Sequence, residues 1–280
     1  MKSIFLILFA FWASNFLYAQ SSADYEVADE KILSKIFEQL GHEKNKSTAG
    51  LVELVGKSFM GTPYVAGTLE KTPEHLVINL RELDCTTFAE NCLAIARSIK
   101  YDDASFSSFT RELQTLRYDK GIVDGYPSRL HYFSDWIYEN DQRGFVKSVS
   151  EEISHVPYPS ETNFMSTHPD SYGQLKGNEG FVQRIKQREA EISKRKLFFV
   201  PKDQLSKYEN QLKDGDIVGL TTSVEGLDIT HVGIIVRKNN RVHLMHASSV
   251  EMKVIISEQT LEDYLMGRKS VTGIMVARPL

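Results

Sequence analysis

The sequence predicts an α+β fold, with helices packed against a central antiparallel sheet, on three observations. Apolar residues recur at helical spacing in residues 21–58 and again from Cys85 to Ile99. β-rich runs, His231–Val236 and Val242–Ala247, flank the turn residues "KNN" in the last third. The chain closes on "VTGIMVARPL", which reads as a final sheet strand. No internal repeat or low-complexity segment interrupts this order. About 260 residues remain once a leader is set aside, enough for one large core.

The leader is the first element. In "MKSIFLILFAFWASNFLYAQ", Lys2 precedes an apolar run from Ile4 to Trp12, and Leu17-Tyr18-Ala19 ends on a small residue. This reads as a secretory signal peptide over residues 1–19, cleaved after Ala19. A membrane anchor is the alternative, but the run falls short of the ~20 residues a span requires. No cysteine lies near the cleavage point to carry a lipid. The rest of the chain has no apolar run long enough to span, so an exported, periplasmic or secreted, soluble protein is expected, with a monomer as the default state. Cleavage removes Lys2 and no acid, leaving 32 Lys+Arg against 37 Asp+Glu, a formal charge of −5. That balance argues against a nucleic-acid partner, which calls for a basic excess.

Residues 21–58 read as two helices. "ADEKILSKIFEQL" places Ile32, Leu33, Ile36, Phe37 and Leu40 on one face, and "STAGLVELVGKSF" begins on a Ser-Thr cap. A third helix carries both cysteines of the chain, Cys85 and Cys92, with Phe88, Cys92, Leu93, Ala96 and Ile99 at spacings of three and four. Seven residues of helix separate the two cysteines by roughly 10 Å along the axis. A disulfide needs Cα atoms within about 7 Å, so the two do not bridge. Cys92 reads as core. Cys85 stands at the helix start, where free N–H groups and the dipole favour a thiolate. On these residues alone it is either a nucleophile or a second buried spacer.

After this helix, residues 100–211 are harder to place. "DGYPSRLHYFSDWIYEN", Asp124–Asn140, gathers aromatics around Arg129, His131, Asp135 and Trp136. Flat aromatic faces with interleaved polar groups suit sugar rings and carboxylates; the bland alternative is a helix burying Trp136 in the core. "GFVQRIKQREAEISKRKL", Gly180–Leu197, reads as a charged helix with a solvated face.

"LKDGDIVGL" then turns at Asp214-Gly215 into a strand, followed by the hairpin. A loop of Asn239-Asn240 sets His231 opposite Ser248 and His246 opposite Gly233, whereas Lys238-Asn239 sets His231 opposite His246. Either register puts the two histidines on one face, within roughly 5–8 Å. His243 has the opposite parity and points away. Gly233 leaves room beside His231. A thiolate, an imidazole base and a second, orienting imidazole form a workable nucleophilic set.

At this point the chain resembles the NlpC-type papain-like cell-wall cysteine hydrolases. "GTPYVAGT", "DCTTFAENCLAIA", "GDIV", "HVGIIV" and "HLMHASS" occur in the order that family uses. The resemblance implies a papain-like fold with the nucleophile at a helix N-terminus. It implies Cys85 as nucleophile, His231 as base and His246 as its orienter. Tyr64 would lie beside the nucleophile and serve substrate or oxyanion, with the Cys85 backbone N–H. It requires no metal and no organic cofactor. The departures are specific. Stem-peptide peptidases of the family read "DCSG" after a glycine pair, whereas here the residues are "DCTT" and Gly67-Thr68. Asp84, which holds a peptide amine in those peptidases, is present. The long insertion, residues 100–211, resembles the exported N-acetylmuramoyl-L-alanine amidase-like branch, formerly a domain of unknown function. That branch implies muropeptides, including anhydro-muropeptides, as substrate; within "SRLHYFSDW" Arg129 is expected to bind substrate carboxylates, and His131 and Trp136 the sugar. Cleavage between N-acetylmuramic acid and L-Ala is therefore expected. The rival enzyme is an endopeptidase cutting between D-Glu and the diamino acid. Other classes are a zinc hydrolase using Cys85, His231 and His246, disfavoured without an HExxH or CxxC pattern, and a non-catalytic peptidoglycan-binding module.

Overall fold

The structure is a computed structural model that describes residues 23–159 and 161–280. The expected leader therefore lies outside the described residues.

The two N-terminal helices form as the spacing predicts. α1 is Val27–Leu40 and α2 is Thr48–Ser58. The Ser47 side chain caps α2 by accepting the Gly50 N–H at 3.1 Å. α3, Cys85–Lys100, opens on Asp84. Asp84 Oδ1 accepts the Thr87 N–H at 2.8 Å, and the Asp84 N–H donates to Thr87 Oγ1 at 2.9 Å. This reciprocal cap fixes Cys85 as the first helical residue. The apolar face of α3 is wholly buried, with Phe88, Cys92 and Leu93 at 0 % exposure. Both cysteines are free. Cys92 is the core residue its spacing predicted.

The remaining helices are α4 Phe106–Arg117, α5 Phe133–Gln142, α6 Ser150–Ser154, α7 Phe164–Thr167, α8 Glu179–Ile192, α9 Leu205–Tyr208 and α10 Leu261–Met266. The strands are β1 Val146–Ser148, β2 Val200–Pro201, β3 Ile217–Thr222, β4 Ile229–Lys238, β5 Arg241–Ser248, β6 Lys253–Ile256 and β7 Val271–Pro279. They make one antiparallel sheet in the order β1-β7-β3-β4-β5-β6, with β2 also paired to β7. The fold is mixed helix and antiparallel sheet, as predicted, and β7 is the closing strand.

Two features differ from expectation. The first sheet strands arise inside the insertion, as β1 and β2, not after residue 211. At three and two residues they are too short for alternation to register. The charged helix α8 keeps the expected solvated face, with Gln183, Lys186, Gln187 and Glu191 exposed, but it ends at Ile192 and its other side is tied to the insertion. Its Glu189 accepts the Tyr132 hydroxyl at 2.7 Å, and its Arg188 pairs with Asp135 at 2.7 Å and Glu139 at 2.8 Å. Ion pairs to residues roughly fifty positions away leave no local periodic trace.

Alternate residues of β4 feed two cores. Val232, Ile234 and Val236 pack with residues of α2 and α3, while Ile235 packs with Leu261 and Leu265 of α10. The insertion builds a third, small core from Tyr126, Tyr132, Met165, Leu175, Ile185 and Ile192. It is pinned to the β3–β4 loop, where the Asn163 and Phe164 N–H groups both donate to the Gly226 carbonyl at 3.0 Å. Gly226 has φ +77°, and a Cβ there would stand 2.2 Å from Asn163 Oδ1, so no other residue fits without a shift.

Candidate active site

The β4–β5 hairpin takes the first of the two predicted registers. Lys238 faces Arg241 across an Asn239-Asn240 loop, both asparagines with positive φ. Ile234 faces Met245, so His246 follows opposite Gly233 and His231 lies diagonally from it. The two imidazoles meet edge to face, with His231 Nε2 and His246 Nδ1 2.6 Å apart. His243, of the other parity, instead contacts the Ser257 carbonyl through Nδ1 at 2.9 Å. The space at Gly233 is not open. A Cβ there would stand 2.5 Å from Leu244 Cδ1, so Leu244 fills the room expected beside His231.

Cys85 reaches the same place from the N-terminus of α3. Its thiol contacts the backbone of Val232, the residue after His231, and lies 3.9 Å from Thr86 Oγ1. No hydrogen bond joins Cys85 to His231 among the described residues; such contacts often tighten only when substrate binds. Tyr64 sits close enough for its phenol to feel the charge of Cys85 and Asp84. Its placement comes from residues 61–65, which run between β6 and the segment before α3. The Tyr64 N–H donates to Met252 O at 3.0 Å, and the Leu83 N–H to Pro63 O at 3.0 Å.

The electrostatics correct one expectation. The helix dipole was expected to hold a thiolate. Instead burial, then the neighbouring Asp84 carboxylate, push the Cys85 thiol up to about 11. Desolvation of the charged form is the largest cause, ahead of the lowering contacts with Val232 and Thr86. Burial, then the Arg268 guanidinium, bring His231 down to about 4. His246, 1 % exposed, falls to about 3 through burial, then His231 and Arg268. At neutral pH the set is therefore a thiol with two neutral imidazoles. One proton lies between His231 Nε2 and His246 Nδ1. If His231 is to accept a proton at Nδ1, its Nε2 carries hydrogen and donates to His246 Nδ1. The hydrogen of His246 is then on Nε2, an atom buried without a partner among the described residues.

Sequence reading missed two residues here. Tyr264 of α10 packs against His246 at a centroid distance of 5.4 Å, and Arg268 stacks on the Tyr264 ring at 3.4 Å. "LEDYLMGRK" carries no pattern that links it to a hairpin twenty residues earlier.

The insertion residues divide. Arg129 was expected to bind substrate carboxylates, and the structure overturns that. Its guanidinium makes four internal hydrogen bonds, to Glu70, twice to Glu74, and to the Leu69 carbonyl, at 2.7–3.2 Å. Its side chain is 9 % exposed and Glu74 2 %, so it is a buried clamp. Trp136 is in the core, stacked on Phe133 at 5.5 Å, but its Nε1 has no partner among the described residues. Trp136, Phe133, Leu130 and His131 line a small cavity with Thr86, Ala89, Glu90, Ile229 and Val232. Asp84 spends Oδ1 on the α3 cap. Among the described residues, no group of three or more His, Cys, Asp or Glu side chains is placed to hold a metal, and no helix is long and apolar enough to cross a membrane.

Residues 54–274 match the family model AmiA-like, described as N-acetylmuramoyl-L-alanine amidase-like. The chain belongs to that family. An N-acetylmuramoyl-L-alanine amidase from Bacteroides uniformis ATCC 8492 is 38% identical to this AmiA-like chain, with a TM-score of 0.80 over 83% of this chain and 98% of that one. A Bacteroides fragilis protein, provisionally named a xylanase, is 41% identical, with a TM-score of 0.77 over 80% and 99%. A Legionella pneumophila protein at 22% identity shares the fold, with a TM-score of 0.67 over 90% and 95%. No curated protein matches the AmiA-like chain.

Proposed function

We propose that this protein is an exported, cysteine-dependent amidase of the NlpC-type papain-like class that cleaves muropeptides between N-acetylmuramic acid and L-Ala. The observation that carries the reading is the 2.6 Å His231–His246 contact beside a cysteine at a helix N-terminus, in a chain of the amidase-like family. In this reading the Cys85 thiol turns from Thr86 toward His231 and attacks the lactyl carbonyl as His231 Nδ1 takes the sulfur proton. His246 Nδ1 accepts the other His231 N–H and holds the ring. The oxyanion meets the Cys85 N–H, which has no intrahelical acceptor. Tyr64, raised by burial and nearby negative charge, stays protonated as a second donor. His231 returns its proton to the leaving amine of L-Ala, and a stem peptide with a free N-terminus departs. Water, deprotonated by His231, then hydrolyses the thioester to the lactyl carboxylate. No metal or organic cofactor takes part. His131 and Trp136 line the sugar side, and Asp84 borders the thiol.

The stem-peptide endopeptidase is disfavoured. Its mark is "DCSG" after a glycine pair, and here bulkier threonines stand at those places, in "DCTT" and Gly67-Thr68. The xylanase name of the Bacteroides fragilis relative is not carried over either, because a thiol with two imidazoles is not the carboxylate pair of glycoside hydrolysis. The test is product identity. Defined muropeptides, with and without the anhydro ring, should yield free tri- or tetrapeptide plus sugar bearing lactate. Turnover should survive chelator and stop with a thiol reagent. Sugar that still bears L-Ala-D-Glu would establish the endopeptidase instead.

A further inference from the structure

Arg268 stands apart from the other arginines of the chain. Each of those pairs with a carboxylate, except Arg237, which makes three bonds to the carbonyls of Asn240, Glu209 and Leu212. Arg268 donates one hydrogen bond, from Nη1 to the Tyr264 carbonyl at 2.7 Å. Its Nε and Nη2 have no partner among the described residues. The guanidinium is nonetheless held in place, partly buried and stacked with its carbon 3.4 Å from the Tyr264 ring centroid. The edge left open, Nε with Nη2, can meet both oxygens of a carboxylate.

Arg268 lines a groove of about 420 Å³ with His246, Ser248, Lys253, Ile255 and Tyr264, on a scale where one water needs ~10–15 Å³. The acids of the groove, Glu251 and Glu258, are exposed, and neither forms an ion pair with Arg268; Glu258 pairs with Lys238 at 3.1 Å. The groove lies on the α10 face of the sheet. His246 shares the parity of Leu244, which packs with α10, and stands opposite Ile255. His131 and Trp136 instead meet Val232 on the α3 face. Cys85 borders both faces. Its thiol contacts the Val232 backbone, and the Tyr264 phenol, raised first by burial, also feels its charge. An amide laid across the thiol with its sugar on the α3 face therefore sends its amine side, the stem peptide, into the Arg268 groove.

We propose that Arg268 anchors the α-carboxylate of the second stem residue, D-Glu, through Nε and Nη2, and so selects stems in which that carboxylate is not amidated. In an L-Ala-γ-D-Glu stem the chain continues from the side-chain carboxyl, so the α-carboxylate is left free. It is the first anion beyond the scissile amide, which matches a cation set beside the catalytic pair. The anchor also gives the bare charge a use. Burial lowers both imidazoles most, and the Arg268 charge lowers them further. A carboxylate bound to Arg268 offsets that charge when His231 must take the thiol proton. The inference rests on the amidase reading for the direction in which the substrate lies, but its test does not require turnover.

The test uses N-acetylmuramoyl-L-Ala-γ-D-Glu-L-Lys and the same compound with the D-Glu α-carboxylate converted to its amide. Binding of each is measured by calorimetry to the Cys85→Ala protein, alone and combined with Arg268→Gln or Arg268→Lys; the melting temperature of each variant establishes that it is folded. The carboxylate ligand should bind at least about tenfold tighter than the amide. Arg268→Gln should bring the two within about twofold of each other, through loss on the carboxylate ligand alone. Arg268→Lys, which keeps the charge without the fork, should retain only part of the ratio. Equal affinities for the two ligands, no binding of either, or a ratio that survives Arg268→Gln would overturn the assignment. A ratio that depends on Arg268 without cleavage of the lactyl–Ala bond by the Cys85 enzyme would keep the anchor and reject the amidase reading. Lactyl–Ala cleavage of both compounds with equal kcat/KM would do the reverse.

Discussion

The sheet side and the insertion side of the candidate site are built by different rules. On the sheet side, Cys85, His231 and His246 are placed by regular elements: a capped helix start and a two-residue hairpin. On the insertion side, residues of equal chemical promise are placed by ion pairs that cross long stretches of chain. Arg129 reaches Glu70 and Glu74 across 59 and 55 positions, and Arg188 reaches Asp135 across 53. A periodic element fixes where a side chain points, so chemistry follows from spacing. A long-range pair decides whether a charged group is free or spent, and no spacing records it. Arg129 illustrates the cost of confusing the two, since its neighbours in sequence resemble a binding motif while its guanidinium closes a buried clamp.

The comparison breaks first at the cysteines. Cys85→Ala should lower turnover by at least about 10³-fold, as the loss of a nucleophile does. Cys92→Ala should keep activity in the folded protein and lose only stability, since its side chain is wholly buried. Comparable loss in both folded variants would remove the distinction between site and core.

A smaller effect separates clamp from binding residue. Arg129→Ala leaves the buried Glu74 without its partner and should cost about 3–5 kcal/mol. For a chain of this size that lowers the melting temperature by roughly 10 °C. KM of the protein that remains folded should stay within about twofold. A large rise in KM at unchanged stability would return Arg129 to the substrate.

The smallest effect concerns Arg268. His231 accepts a proton only when neutral, and its value of about 4 puts the acid limb of the kcat/KM profile well below the ordinary histidine range. The positive charge of Arg268 contributes to that lowering, after burial. Arg268→Gln makes protonation easier, so the limb should move to higher pH, by about half a unit or roughly 0.7 kcal/mol. A limb that stays or moves to lower pH would mean that Arg268 does not act on the pair.

The same contrast explains what the sequence disclosed. The α+β class, α1 to α3, the closing strand and the His231–His246 pairing follow from periodicity, caps and one turn. β1 and β2 escape because three and two residues carry no alternation. The upward push on the thiol was not legible because burial is a tertiary quantity that a helix start does not record. Tyr264 and Arg268 were missed because α10 folds back onto β5 from a segment with no chemical signature.

The most direct test of the account is to catch the covalent intermediate. Enzyme mixed with muropeptide is acid-quenched within milliseconds and analysed as the intact chain and then as peptides. The account predicts a thioester adduct with the mass of the sugar lactyl group on Cys85, none on Cys92, and none in His231→Ala. An adduct on another residue, or full turnover by Cys85→Ala, would contradict it.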